Sequence, residues 1–266
     1  MSTTSRSDAM LVDRDGAIGW ITFCNPARRN AVSLAMWQAL HGIVRDLAAE
    51  PEVRVIVVRG AGEEAFVSGA DISEFEELRS SRETVGRYNR IAAEATEALR
   101  CVGKPTLAMI RGYCIGGGVS VALACDLRMA GAGARFGVPA ARLGLGYEFG
   151  GVRKLVDVVG PAYAKEIFYT ARQFSAAEAL AMGLVNRVAP DADLEAAVRD
   201  CAQAIAANAP LTVASIKTLV DQAVKDESRR DAALCREVVD RCFESEDYVE
   251  GRTAFLEKRK PVFKGR

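Results

Sequence analysis

Arg111-Gly112-Tyr113-Cys114-Ile115-Gly116-Gly117-Gly118-Val119-Ser120 is the stretch on which the reading of this chain turns. An apolar, strand-like run, Thr106 to Ile110, leads into it, and a helix of small residues, Val119 to Cys125, leads out. Three consecutive glycines between strand and helix remove every Cβ from the approach. A ligand oxygen can then reach backbone N–H groups at the positive end of the helix. Such a site suits an oxyanion better than a bulky group. Alone, the same residues also fit a tight turn where helix and strand pack closely.

Val67-Ser68-Gly69-Ala70-Asp71-Ile72 follows the apolar strand Val53 to Val58 and opens a further helix, Ile72 to Arg79. Two such junctions can each aim one N–H at the same oxygen. The plainer role of Ser68 and Asp71 is to cap a helix, and Asp71 and Glu74 rank as capping or surface residues before catalytic ones. With Phe136-Gly137-Val138-Pro139, Gly150-Gly151 and the tail Glu250-Gly251-Arg252-Thr253-Ala254-Phe255-Leu256-Glu257-Lys258-Arg259, the ordered set resembles the crotonase family, the enoyl-CoA hydratase/isomerase superfamily. The resemblance runs from about residue 10 to the C-terminus.

Composition narrows the function. The 266 residues carry 35 Lys+Arg against 35 Asp+Glu, a balance that argues against a general nucleic-acid or membrane-surface binder. Seven cysteines without a C-x-x-C pair read as reduced thiols in a cytoplasmic protein. The single histidine, His41, lies inside a helical pattern and reads as a surface or packing residue, so a histidine metal site or triad is not expected. Met1 to Ala9 has no apolar core of a signal peptide, and no run reaches the ~20 apolar residues of a membrane span.

Along the chain, Met10 to Asp13 and Ile18 to Phe23 predict a hairpin, and Ser33 caps a helix with Leu34, Trp37, Leu40, Val44 and Leu47 at helical spacing. Ser81 or Arg82 starts a longer helix that ends at Gly103-Lys104-Pro105. Strands at Thr106 to Ile110, Asp126 to Ala130 and Arg135-Phe136 alternate with helical segments, which predicts an α/β fold with parallel strands, and the strand signals stop after Leu184 to Val188. From Asp191 onward four helices follow: Asp191 to Ala207, Leu211 to Lys225, Ser228 to Phe243 and Ser245 to Lys258. They have no sheet of their own to cover, so a neighbouring subunit is the expected partner. The resemblance implies a crotonase-like spiral of β/α turns. The division expected is a core at 1–200 with the acyl-CoA site and a helical trimerisation region at 201–266, giving a homotrimer or hexamer.

The resemblance also implies a set of site residues. The thioester carbonyl of an acyl-CoA would sit between the N–H groups of Ala70 and Gly117, where removing one donor typically costs ~3–4 kcal/mol. Coenzyme A, as part of the substrate and with no other cofactor and no metal, would contact Arg28, Arg29, Ala31, Ser68, Ala70, Asp71 and Ile72. Phe255 and Lys258 would reach it from the tail, often across a subunit boundary. The stretch is neither a Walker A loop nor a dinucleotide fingerprint.

Two departures bear on the chemistry. Family hydratases carry glutamates two residues after the glycine triplet and directly after the Phe-x-x-Pro proline; here these positions are Ser120 and Ala140. Neither side chain activates water near neutral pH. Glu148 falls where some family isomerases carry an Asp, and Tyr147 where some decarboxylases of malonyl-type thioesters carry a Tyr. A lone carboxylate in an apolar cleft would shuttle a proton between two carbons. The reading is therefore double-bond isomerisation through a thioester enolate with Glu148 as base. The alternatives are hydration by an unusual arrangement, decarboxylation assisted by Tyr147, and a non-catalytic acyl-CoA binder.

Overall fold

A computed structural model describes residues 4–7, 9–74 and 81–266. Within them the chain winds through eleven strands: β1 (Thr4–Ser7), β2 (Met10–Asp15), β3 (Ile18–Phe23), β4 (Val55–Gly60), β5 (Ala65–Val67), β6 (Thr106–Ile110), β7 (Tyr113–Ile115), β8 (Leu127–Gly131), β9 (Arg135–Gly137), β10 (Phe174–Ser175) and β11 (Arg187–Ala189). The helices are α1 (Leu34–Ala49), α2 (Arg82–Cys101), α3 (Gly117–Ala124), α4 (Phe149–Thr170), α5 (Ala176–Ala181), α6 (Leu194–Ala206), α7 (Pro210–Ala223), α8 (Ala232–Phe243) and α9 (Glu246–Leu256).

Each turn of the chain gives one strand to each of two sheets. A seven-stranded sheet runs β1-β2-β3-β4-β6-β8-β11, and a four-stranded sheet runs β10-β9-β7-β5. The pairs β4 with β5, β6 with β7 and β8 with β9 are successive turns of one spiral. In the large sheet β3, β4, β6, β8 and β11 pair in parallel, and only the β1–β2–β3 hairpins are antiparallel.

Side-chain alternation along the strands explains why this sheet is buried on both faces. In β3 and β4, Ile21, Phe23, Ile56 and Val58 enter the core shared with α1 and α2. Ile18, Trp20, Val55 and Val57 face the other way, against Leu194, Val198 and Ala202 of α6. The division expected at 200/201 therefore falls inside α6. Its 3.6-residue apolar stripe closes the sheet and belongs to the core. The expectation that the terminal helices lack a sheet to cover holds only from α7 onward. There Ile216, Val220, Val224, Phe243, Phe255 and Leu256 are exposed.

Ser33 and Ser81 cap α1 and α2 as expected, their hydroxyls accepting from the N–H groups of Met36 and Thr84. Ile72–Glu74 forms a single 3₁₀ turn, whereas the remainder of the helix predicted over Ile72 to Arg79 lies outside the described residues. The 22-residue α4 is interrupted at Gly160, with φ +74°, followed by Pro161. His41 is exposed on α1. Among the described residues, no helix is long and apolar enough to cross a membrane, and no group of His, Cys, Asp and Glu is arranged to hold a metal ion.

Candidate active site

The three glycines at the start of α3 do three different things. Gly116 turns the chain at φ +53°, and its N–H donates to the Gly137 carbonyl at 2.8 Å. Gly118 lies against β5 so closely that a Cβ would fall 2.2 Å from the Val67 carbonyl oxygen. Gly117 is different. A Cβ there would meet Trp37, Gly69 and Ala70 at 3.5–3.7 Å, ordinary contact distances. Packing does not demand glycine at 117, and its absent side chain leaves a space bordered by the Ala70 nitrogen.

Ala70 faces that space because of a single parallel bridge to Val32. The Val32 N–H donates to Gly69 O at 2.8 Å, and the Asp71 N–H donates to Val32 O at 3.0 Å. In this pattern the N–H of Ala70 itself points away from Val32. The Ala70 nitrogen thus lies near Gly117 at the α3 N-terminus, 3.7 Å from where a Gly117 Cβ would stand. Behind it, Trp37 of α1 donates from Nε1 to the Tyr88 hydroxyl of α2 at 2.9 Å, and both side chains are buried. Main-chain N–H groups brought together at such a junction can hold an oxyanion.

The loop from Asn25 to Ala31 is pinned by Asn30, which is buried. Its Nδ2 donates to Ala61 O at 2.9 Å and Ala65 O at 2.7 Å, and its Oδ1 accepts from the Asn25 N–H at 3.0 Å. Arg28 pairs with Asp71 Oδ1 at 2.5 Å and also with the Ser73 hydroxyl. Arg29 pairs with Glu64 at 2.6 Å and lies over the Tyr113 ring. Both arginines keep about half of their side chains exposed, at 50% and 55%. Asp71 is buried, which on its own raises its pKa. Hydrogen bonds from the Ser73 hydroxyl and N–H, with Arg28, outweigh this and hold the carboxyl below its ordinary value. Ser68 donates to Arg28 O at 3.1 Å, Ala31 is buried, and Ile72 is exposed.

Tyr147 and Glu148 part company just before α4. Glu148 is the N-cap residue of α4, its side chain is exposed, and its Oε1 accepts from Asn89 Nδ2 of α2 at 3.0 Å. The apolar cleft expected around Glu148 surrounds its neighbour instead. Successive side chains on extended backbone point to opposite sides, and Tyr147 is the one that turns inward. Its ring packs edge-on against Phe168 with centroids 4.9 Å apart, and a Cβ on Gly151 would come within 2.7 Å of its Cε1. Its hydroxyl lies 3.2 Å from the Ser120 hydroxyl. Burial pushes the Tyr147 phenol above its ordinary pKa, and the bond to Ser120 offsets only part of that.

The family model for enoyl-CoA hydratase/isomerase matches residues 13–266. The chain belongs to that family. It is 32% identical over 252 residues to the short-chain-enoyl-CoA hydratase of Clostridium acetobutylicum, covering 94% of this chain and 95% of that protein. It is 33% identical over 264 residues to the carnitinyl-CoA dehydratase of Escherichia coli K12, covering 98% and 100%. A solved enoyl-CoA hydratase/carnithine racemase from Magnetospirillum magneticum superposes with a TM-score of 0.95 at 36% identity, covering 99% of this chain and 97% of that one.

Within this family member, the two positions without glutamates have different surroundings. Ser120 is half-buried and bonded to Tyr147, whereas Ala140 is buried. Phe255 lies in the last turn of α9 and is 83% exposed, and Lys258 follows two residues beyond the helix end. Trp37, Tyr88 and Asn89 were not among the sequence-predicted site residues. Trp37 carried only a helix-packing signal, and a polar residue on a helix face carries none.

Gly118→Ala tests the backing of the gap. Alanine gains up to about 1 kcal/mol of helix propensity, but a Cβ 2.2 Å from a backbone oxygen forces β5 and α3 apart, an overpacking cost of about 1–3 kcal/mol. We expect net destabilisation in urea melts. A variant as stable as wild type would refute the close contact.

Proposed function

We propose that the protein acts on an acyl-CoA thioester through its enolate, held by the N–H groups of Ala70 and Gly117, and that it isomerises a carbon–carbon double bond. The observation that supports this reading is the nearness of the Ala70 nitrogen to Gly117 at the start of α3, 3.7 Å from where a Gly117 Cβ would stand. Glu148 takes a proton from one carbon and returns it to another. The absence of carboxylates at Ser120 and Ala140 supports proton transfer over two-glutamate hydration. Coenzyme A enters only as part of the substrate, and the chemistry calls on no metal or redox group.

A second reading rests on the Ser120–Tyr147 pair. Loss of CO₂ from a malonyl-type thioester needs no base, because the breaking C–C bond leaves its electron pair in the enolate. A buried phenol held above its ordinary pKa stays protonated near neutral pH and can donate a proton to the α-carbon. Products identified by mass from 2-enoyl-, 3-enoyl- and malonyl-type thioesters separate the readings. With isomerisation, Glu148→Gln loses ~10²–10⁴-fold in rate and Tyr147→Phe little; decarboxylation reverses that order. Robust hydration of crotonyl-CoA by wild type would sink both, and no turnover of any thioester would leave an acyl-CoA binder.

Arg28 and Arg29 are half-exposed beside the gap and suit coenzyme A phosphates, with Lys258 a further contact. Acetyl-CoA binding by calorimetry should weaken with salt. Arg28→Ala and Lys258→Ala should each cost about 1 kcal/mol, roughly fivefold in Kd. No binding at millimolar acetyl-CoA would exclude the site.

We also propose a homotrimer or a hexamer. Ile216, Val220 and Val224 form an exposed apolar stripe at four-residue spacing, and Phe255 and Leu256 are uncovered in a single chain. Light scattering at micromolar concentration should return three or six chain masses; a monomer would refute this.

A further inference from the structure

Two consecutive residues of α2 reach the two halves of the candidate site. Tyr88 accepts from Trp37 Nε1 at 2.9 Å, and the Trp37 ring lies 3.5 Å from where a Gly117 Cβ would stand. Asn89, the next residue, donates from Nδ2 to Glu148 Oε1 at 3.0 Å. Successive helix residues are about 100° apart around the axis, so one short segment can touch the oxyanion side and the proton-transfer side together. The buried Trp37–Tyr88 bond anchors α2 one residue before Asn89.

Glu148 needs such a partner. It is exposed, it is the last residue before α4, and its side chain does not cap that helix. An exposed glutamate otherwise samples several rotamers, few of which aim a carboxylate oxygen at a substrate carbon. We propose that Asn89 is a positioning residue that fixes the Glu148 carboxylate for proton transfer. Its amide occupies Oε1, leaving Oε2 as the oxygen that takes the proton. The inference rests on the reading of Glu148 as the base.

The test is deuterium exchange at the α-carbon of butyryl-CoA in D₂O, followed by mass, for wild type, Asn89→Ala, Asn89→Asp, Glu148→Gln and the double variant Asn89→Ala/Glu148→Gln. Asn89→Ala should lower kcat about tenfold, the lower end for a hydrogen bond to a charged group, with KM unchanged. Asn89→Asp keeps the shape, removes the donor and opposes a second carboxylate, so its loss should be at least as large. In the Glu148→Gln background Asn89→Ala should cost nothing more, since the group it positions is gone. Full activity of Asn89→Ala beside an inactive Glu148→Gln overturns the inference and leaves the base assignment standing. A loss that persists undiminished in the double variant, or appears in KM alone, also overturns it by marking a structural role. Exchange by Glu148→Gln at the wild-type rate overturns the base assignment, and this inference with it.

Discussion

The approach of the α3 turn to the Val67 backbone is the constraint on which the remaining geometry depends. Gly118 can lie against the Val67 carbonyl only because it has no side chain, and that contact sets how far the α3 N-terminus stands from β5. Ala70, three residues beyond Val67, is then held by Val32 so that its N–H points away from Val32, with its nitrogen near Gly117. Neither donor is a side chain, so neither can swing away. The preorganisation lies in backbone packing, and its cost is met during folding rather than at the moment of reaction.

Around this fixed pair the side chains divide into a dry part and a wet part. Tyr147 packs against Phe168 and bonds Ser120 on the inner side, where burial raises the phenol above its ordinary pKa. Glu148, Arg28 and Arg29 are solvent-facing, and each is steadied by a specific partner: Asn89, Asp71 and Glu64. Arg28 ties the loop at residues 25–31 to Asp71, the residue after Ala70.

Much of the backbone chemistry was legible in sequence because it depends on residue size. Glycines and alanines at two strand-to-helix junctions announce close approach, whatever follows. The β-branched run from Val53 announced a strand buried on both faces, as β4 is. The small sheet left little trace, since two or three residues in β5, β7, β9 and β10 are too few to display a period. α4 was missed because Gly150-Gly151 open it and Gly160-Pro161 break its pattern. The division at 200/201 cuts α6, whose apolar stripe covers the sheet while Ile216 and Val220 of α7 are exposed, a difference that helical spacing does not display. The direction of Glu148 was not legible either, because one step along the backbone exchanges inside for outside.

The break in α4 has a geometric consequence. A straight helix rises 1.5 Å per residue, so Tyr147 and Phe168 would stand about 30 Å apart if α4 were continuous. Their ring centroids are 4.9 Å apart. Gly160 and Pro161 must therefore act as a hairpin bend that returns the second half of α4 along the first. The aromatic pair is made by folding one helix back on itself, so its spacing depends on a backbone angle eight residues from one ring and thirteen from the other.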